Sequence, residues 1–228
     1  MEDFENNCYI GNKKIIKFVP EKDIKYLKYN EKLWKRIFPY QKDLDYKKLK
    51  LTNIGIYSAS KKKDLDILIS FLKKKYKNLE KKVIIDGNGG VGNTTLFLSY
   101  VFGLVISVEI MKIHVDLIKN NMKVYNRKNV KVMNYDFFDI ALNVNADFII
   151  FDLPWGGTNY KNKNTIKLGY NNVRIACVIN KLLEQKNIKE CIILFCPYNF
   201  DINNFMKKIN SKKIKRINIG KHYWIIIN

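Results

Sequence analysis

Two segments of this sequence set side chains capable of chemistry at the ends of apolar runs. In one, Val83-Ile84-Ile85-Asp86 leads into Gly87-Asn88-Gly89-Gly90-Val91-Gly92-Asn93-Thr94-Thr95. In the other, Phe148-Ile149-Ile150-Phe151 leads into Asp152-Leu153-Pro154-Trp155-Gly156-Gly157. Each apolar run predicts a buried strand, and ligands of open α/β sheets bind at the C-terminal ends of strands. The glycines of the first segment let a ligand approach the backbone closely, and the helix beyond them offers unpaired N–H groups. The second segment joins an acidic acceptor, a proline that fixes a turn and an aromatic face.

The glycine loop by itself admits a dinucleotide, a nucleotide phosphate or S-adenosylmethionine. Gly87 to Gly92 fits G-x-G-x-x-G, a pattern of low specificity. No Gly-Lys-Ser/Thr ending follows, which excludes a phosphate-binding P-loop. Asp86 ends the strand, where it would face the pyrophosphate of a dinucleotide but suits the cationic methionine end of S-adenosylmethionine. A second apolar run ends in Glu109, placed to accept from both ribose hydroxyls. A third is followed by Asp136, placed to accept from the adenine amino group. Acids after three successive strands, with glycines after the first, point to S-adenosylmethionine.

These positions require an alternating α/β chain. Strands are predicted at Val83–Asp86, Leu104–Glu109, Val130–Asn134, Phe148–Asp152, Cys191–Cys196, Ile214–Ile219 and His222–Ile227, with helices over Thr94–Tyr100, Ile113–Tyr125 and Val173–Gln185. Leu65, Leu68, Leu72 and Tyr76 mark one face of a further helix, for which Ser58 or Ser60 is a candidate cap. Strand–helix alternation implies parallel strands with helices on both faces. Gly220-Lys221 is short enough to turn a terminal hairpin. The result is the plan of a class I, Rossmann-like methyltransferase: a seven-stranded, mostly parallel sheet with an antiparallel last strand. Residues 1–58 read as an N-terminal extension with short helices, Asp23 to Phe38 being the most helical, and residues 59–228 as the methyltransferase domain.

Composition narrows the class further. The chain has 228 residues, 47% hydrophobic and 28% charged, which excludes disorder as its overall state. No apolar run approaches the roughly 18 residues of a membrane-spanning helix, and the acidic, polar start is not that of a signal peptide. A net charge of +21 favours a polyanionic partner, although abundant Lys, Asn and Ile are also what AT-rich coding produces. Four cysteines without CxxC spacing and two histidines predict no metal site and free thiols. Trp34 and Trp224 are read as packing residues.

Asp152-Leu153-Pro154-Trp155 is similar to the [Asp/Asn/Ser]-Pro-Pro-[aromatic] turn of methyltransferases that modify planar exocyclic amino groups. With Gly156-Gly157-Thr158-Asn159-Tyr160 it resembles the motif of the trimethylguanosine synthase family, enzymes that methylate the 2-amino group of 7-methylguanosine RNA caps. Glu31-Lys32-Leu33-Trp34-Lys35-Arg36 resembles that family's segment before the core, and Gly55-Ile56-Tyr57-Ser58-Ala59-Ser60 its segment over the cofactor. Asp86 to Asn93 resembles its glycine loop, and Phe195-Cys196-Pro197-Tyr198-Asn199 its segment after the fifth strand. Leu153 stands in place of the first proline, Asn88 in place of Phe or Cys, and Tyr198 in place of an Arg. The long N-terminal region of the animal members is absent, so the chain reads as a minimal catalytic core.

The resemblance implies roles for these residues. Asp152, Pro154 and Trp155 would be catalytic: Asp152 and the carbonyls of the turn accept the amino N–H groups, and Trp155 stacks on the cationic base. Ser58, Asp86, Gly87, Gly89, Asn93, Glu109, Asp136 and Asp152 would hold S-adenosylmethionine. Lys32, Trp155, Tyr160 and Asn199 would hold the capped RNA, with Lys161 or Lys163 able to replace the missing Arg at a phosphate. A monomer without metal or membrane is implied, and an intracellular one. Nucleus or cytoplasm stays open, with a viral factory as the place if the chain is viral. Two other readings also stay open: an amino methyltransferase for guanine or adenine within rRNA or tRNA, and a non-catalytic basic RNA-binding subunit with a degenerate methyltransferase fold.

Overall fold

The structure, a computed structural model, describes residues 21–140, 143–170, 173–211 and 213–228. The part of the expected extension in residues 1–20, including Cys8, lies outside the described residues. In chain order the elements are α1 (Glu31–Ile37), α2 (Gly55–Ser58), α3 (Lys62–Lys75), β1 (Val83–Asp86), α4 (Asn93–Ser99), β2 (Leu104–Glu109) and α5 (Lys112–Val124). Then come β3 (Val130–Asn134), α6 (Phe137–Ile140), β4 (Ala146–Phe151), β5 (Gly169–Tyr170), β6 (Val173–Arg174), α7 (Ile175–Gln185), β7 (Ile188–Pro197), α8 (Ile202–Lys208), β8 (Ile214–Ile219) and β9 (His222–Ile227).

Among the described residues, seven strands form one sheet in the order β3-β2-β1-β4-β7-β9-β8. β3, β2, β1, β4 and β7 pair in parallel. β9 runs antiparallel to both β7 and β8. Because successive strand side chains point to opposite faces, β4 supplies both cores. Phe148 and Ile150 face Leu65, Leu68 and Leu72 of α3 and Phe97 of α4. Ile149 and Phe151 face Ile175, Ile179 and Leu182 of α7 and Phe205 of α8. Trp224 is fully buried and stacks on Phe195 at 4.3 Å between centroids.

The extension packs on the outer side of α4 and α5. Trp34, Ile37, Phe38, Leu49 and Leu51 share a cluster with Leu96, Leu117, Ile118 and Val91 of the glycine loop. Backbone groups of the extension are also tied down, since Asn121 bonds both the N–H and the carbonyl of Lys50 and Tyr125 donates to the Pro39 carbonyl.

Several local features differ from the sequence reading, among them β7, which begins at Ile188 and not at Cys191. The helix expected from Asp23 begins only at Glu31, because the Asn30 side chain accepts from Leu33 N at 2.9 Å and caps it there. The helix expected from Val173 begins at Ile175, because Val173 and Arg174 pair with Gly169 and Tyr170. β4 ends at Phe151, which leaves Asp152 in the turn just beyond the sheet. Neither Ser58 nor Ser60 caps α3: Lys61 holds that position without a side-chain bond. Cys191 and Cys196 are buried and free, whereas Cys177 is disulfide-bonded, which corrects the expectation of free thiols. Among the described residues no cluster of three metal-ligating side chains occurs, and no helix is long and apolar enough to cross a membrane.

Candidate active site

The glycine loop sits where β1 ends, between β2 and β4. Gly87 N donates to the Ile150 carbonyl and Gly89 N to the Val108 carbonyl, each at 2.9 Å. A Cβ on Gly89 would lie 2.4 Å from Ser107 Oγ and 2.9 Å from Ile118 Cδ1, so only glycine permits this close crossing. Asp86 is buried beneath the loop and accepts from Thr95 Oγ1 at 2.6 Å. Burial pushes its carboxyl up to about 6. Glu109 accepts from Gly90 N at 2.7 Å and Met111 N at 2.8 Å, so it closes the loop against the end of β2. Burial outweighs those bonds and raises its carboxyl to about 7.

Beyond β4 the chain turns through Asp152, Leu153, Pro154 and Trp155. Leu153 is 2% exposed and packs with Ile85, Phe137 and Phe151, so buried side-chain contact anchors the turn where a proline ring would otherwise stiffen it. Pro154 is exposed. Asp152 accepts from Ser60 Oγ at 2.9 Å. Burial lifts its carboxyl to about 7, the Ser60 bond opposes that rise, and the Asp86 charge adds to it. Trp155 is half-buried between both cores. Tyr160 meets it edge-on at 5.1 Å, while Phe195 and His222 tilt against it at 5.2 and 5.1 Å.

The other candidates are distributed unevenly around this centre. Asp136 Oδ1 accepts from Phe138 N at 2.9 Å and caps α6. Asn93 is buried and donates to the Ile37 carbonyl at 2.7 Å, which joins α4 to the extension. Asn199 donates to the Tyr160 and Lys163 carbonyls, both at 2.8 Å, and so clamps the loop that carries Tyr160. Ser58 is exposed and its hydroxyl turns back to the Gly55 carbonyl. Lys32 is exposed on α1, whose buried face belongs to the extension cluster and not to the clusters that hold Trp155. Two residues near the centre were not assigned to it from the sequence. Ser60 read as a helix cap at the end of the segment over the cofactor and not as a partner of Asp152, which lies 92 positions away. His222 carried no signal, since a strand-initial histidine has no motif of its own.

The sequence pattern of RNA cap guanine-N2 methyltransferases matches residues 81–222. The chain belongs to the RNA cap guanine-N2 methyltransferase family. Uncharacterized protein L320 of Acanthamoeba polyphaga mimivirus is 30% identical over 159 residues, which span 68% of this chain and 62% of that protein. Trimethylguanosine synthase of Schizosaccharomyces pombe is 30% identical over 132 residues, 54% of each chain. The chain thus spans between half and two thirds of the length of the curated relatives it matches. In fold it is similar to the 16S rRNA N2 G1207 methyltransferase of T. thermophilus, solved with AdoMet and guanosine, at a TM-score of 0.56 and 13% identity over 78% of this chain and 43% of that one. It is similar also to the putative methyltransferase yhhF of Escherichia coli, at 0.53 and 10% identity over 72% and 84%.

Family and fold together support methyl transfer from S-adenosylmethionine, and the residues of this cap-methyltransferase family member fit that cofactor. Asp86, Glu109 and Asp152 are three carboxyls that burial disfavours in their charged form. Asn88 Oδ1 is a buried acceptor without a partner. Such an acceptor-rich set is complementary to a ligand that carries a sulfonium, an ammonium and ribose hydroxyls. Asp152 also depends on Ser60 for orientation. Ser60→Ala removes one hydrogen bond to a carboxylate, worth about 1.5–3 kcal/mol. We expect kcat to fall about tenfold with little change in KM, read from initial rates at saturating cofactor.

Proposed function

We propose that the chain transfers a methyl group from S-adenosylmethionine to the exocyclic 2-amino group of a 7-methylguanosine RNA cap. The observation that carries this reading is a single turn that presents a half-buried carboxylate, Asp152, next to an aromatic face, Trp155, at the mouth of the glycine-loop site. The bound cofactor supplies an electrophilic methyl group. Asp152 and the carbonyls of Leu153 and Pro154 accept the two amino N–H groups of the base. That draws the nitrogen out of conjugation and aims its lone pair. Trp155 stacks on the base, and a ring that is cationic after 7-methylation gains roughly 0.5–2 kcal/mol over a neutral one. Catalysis is then mainly positioning in a dry site. Asp86 and Glu109 hold the methionine and ribose ends of the cofactor, and Gly87, Gly89, Asn93, Asp136 and Ser58 line or support that site. Tyr160, Asn199 and Lys32 belong to the cap side, with Asn199 acting through the loop that carries Tyr160. The extension, residues 1–58, contributes to both sides of the site.

The deciding experiment incubates the protein with labelled S-adenosylmethionine and either a 7-methylguanosine nucleotide or GTP. Transfer to the methylated nucleotide alone is expected. Transfer to neither, with activity on uncapped RNA, would move the reading to an internal guanine or adenine.

Cofactor binding is also linked to protons. The carboxyls sit near 6, 7 and 7, above the ordinary 3.8 of Asp and 4.5 of Glu. In the ligand-free protein they are therefore partly protonated between about pH 5 and 7. The folded state holds more protons there than the unfolded one, so these groups make the free protein less stable as pH rises through that window. A cationic, donor-rich ligand favours the ionised carboxylates and expels those protons. Affinity for S-adenosylmethionine should thus rise from about pH 5 to about pH 7.5. Calorimetry in two buffers of different ionisation heat measures the release, and a buffer-independent enthalpy near pH 6 would refute the linkage.

A further inference from the structure

His222 opens β9, paired across the sheet with Pro197 of β7 and Ile219 of β8. This puts its ring at the C-terminal edge of the parallel strands, beside the Asp152–Trp155 turn. The ring is half-buried and lies 5.1 Å from the Trp155 ring at an interplanar angle of 37°. It is 5.6 Å from Phe195, and its Nε2 is 3.4 Å from the Tyr160 hydroxyl. Trp155, Tyr160, Phe195 and His222 therefore form one wall of rings in which His222 is the member able to change charge near neutrality. A neutral imidazole adds aromatic surface to that wall, and an imidazolium adds a positive charge to it.

We propose that His222 is a specificity residue of the Trp155 site: its neutral ring completes the wall that accepts a cationic base, and its protonated ring rejects that base. The inference rests on the reading that Trp155 stacks a 7-methylated guanine.

The surroundings keep His222 neutral at physiological pH. Burial is the main cause of its lowered proton affinity. Lys61 ahead of α3, Lys161 of the Tyr160 loop and Lys221 of the hairpin act in the same direction. Asp64 of α3 opposes them, but its own carboxyl is raised by burial, so acidification weakens that counter-charge as well. The Tyr160 phenol is held above its ordinary value, again by burial first, and stays neutral throughout. Protonation on acidification then places a charge beside the Trp155 face with little to offset it.

The test measures quenching of tryptophan fluorescence by 7-methylguanosine 5′-triphosphate at about pH 7.5 and about pH 5 for the wild-type chain and for His222→Gln. Gln is neutral at both values and can still bond the Tyr160 hydroxyl. Titration of the nucleotide itself affects both proteins equally and cancels in their ratio. We expect the wild type to lose about tenfold more affinity on acidification than the variant. His222→Lys, which fixes the charge, should bind weakly at both pH values while melting near the wild-type temperature. Equal losses in wild type and His222→Gln would overturn the inference and leave the base reading intact. No binding by the wild type at about pH 7.5 would overturn the base reading and the inference with it.

Discussion

Asp152→Ala should lower kcat on a 7-methylguanosine nucleotide by about a thousandfold, the range found when a preorganised group at the reacting atom is removed. In the proposed reaction the carboxylate accepts from the amine that is methylated. It is held by Ser60 at 2.9 Å, and burial of the carboxyl limits its screening by water. Affinity for the cofactor should fall as well, since one of three acceptors is lost. Asp152→Asn is the informative partner. The amide keeps a carbonyl oxygen and the shape, so the loss should be nearer tenfold, but it cannot ionise. In the wild type kcat should fall on acidification with a midpoint below about 7, the ligand-free value to which burial and Asp86 lift this carboxyl, because bound cofactor favours the carboxylate. A protonated carboxyl has one acceptor fewer and a hydroxyl pointed at the amine. That acid limb should vanish in Asp152→Asn. An unchanged pH profile would show that another group sets the limb, and full turnover in Asp152→Ala would remove this residue from the mechanism.

Trp155→Ala should have the second-largest effect, and on selectivity more than on chemistry. Stacking on an aromatic side chain contributes about 1–3 kcal/mol per base. The cationic part adds roughly 0.5–2 kcal/mol for a 7-methylated ring only. Preference for 7-methylguanosine triphosphate over GTP should therefore drop about tenfold, with KM rising further. Truncation also opens space between Tyr160, Phe195 and His222. A stability cost of about 3 kcal/mol is expected from losing so large a ring. Trp155→Phe separates the two effects: it keeps a face and much of the packing, and it attracts a cation less. Competition binding with the two nucleotides at equal ionic strength measures the preference, and thermal melting measures the fold. If Trp155→Phe retains the full preference, stacking on this face is not its source.

Much of the architecture was legible before any coordinate. Five strands, Val83–Asp86, Leu104–Glu109, Val130–Asn134 and the hairpin's Ile214–Ile219 and His222–Ile227, have the bounds that apolar runs bracketed by Gly, Asn and charges dictate. The order of acids after β1, β2 and β3 follows from local pattern too, because each lies within a residue or two of its strand's end. Asp152-Leu153-Pro154-Trp155 pointed to the family for the same reason: a motif of adjacent residues is a property of the chain. Where local rules competed, the sequence misled. Asn30 reads as one more polar residue in a helical stretch until its side chain is seen on Leu33 N.

What only the tertiary structure decided are the relations between distant residues. Glu109 meets Gly90 because β1 and β2 pair in parallel. Asn199 reaches Tyr160 because β4 and β7 end side by side. Leu153 can replace a proline because the core beneath it is apolar, a fact about Ile85 and Phe137 rather than about Leu153. Ser60 leaves the helix cap for Asp152, and His222 joins the Trp155 wall from the last strand. Composition and spacing specify the parts and their order along the chain. Which side chains become neighbours is set by strand order and burial, because only there do residues far apart in sequence share one low-dielectric environment.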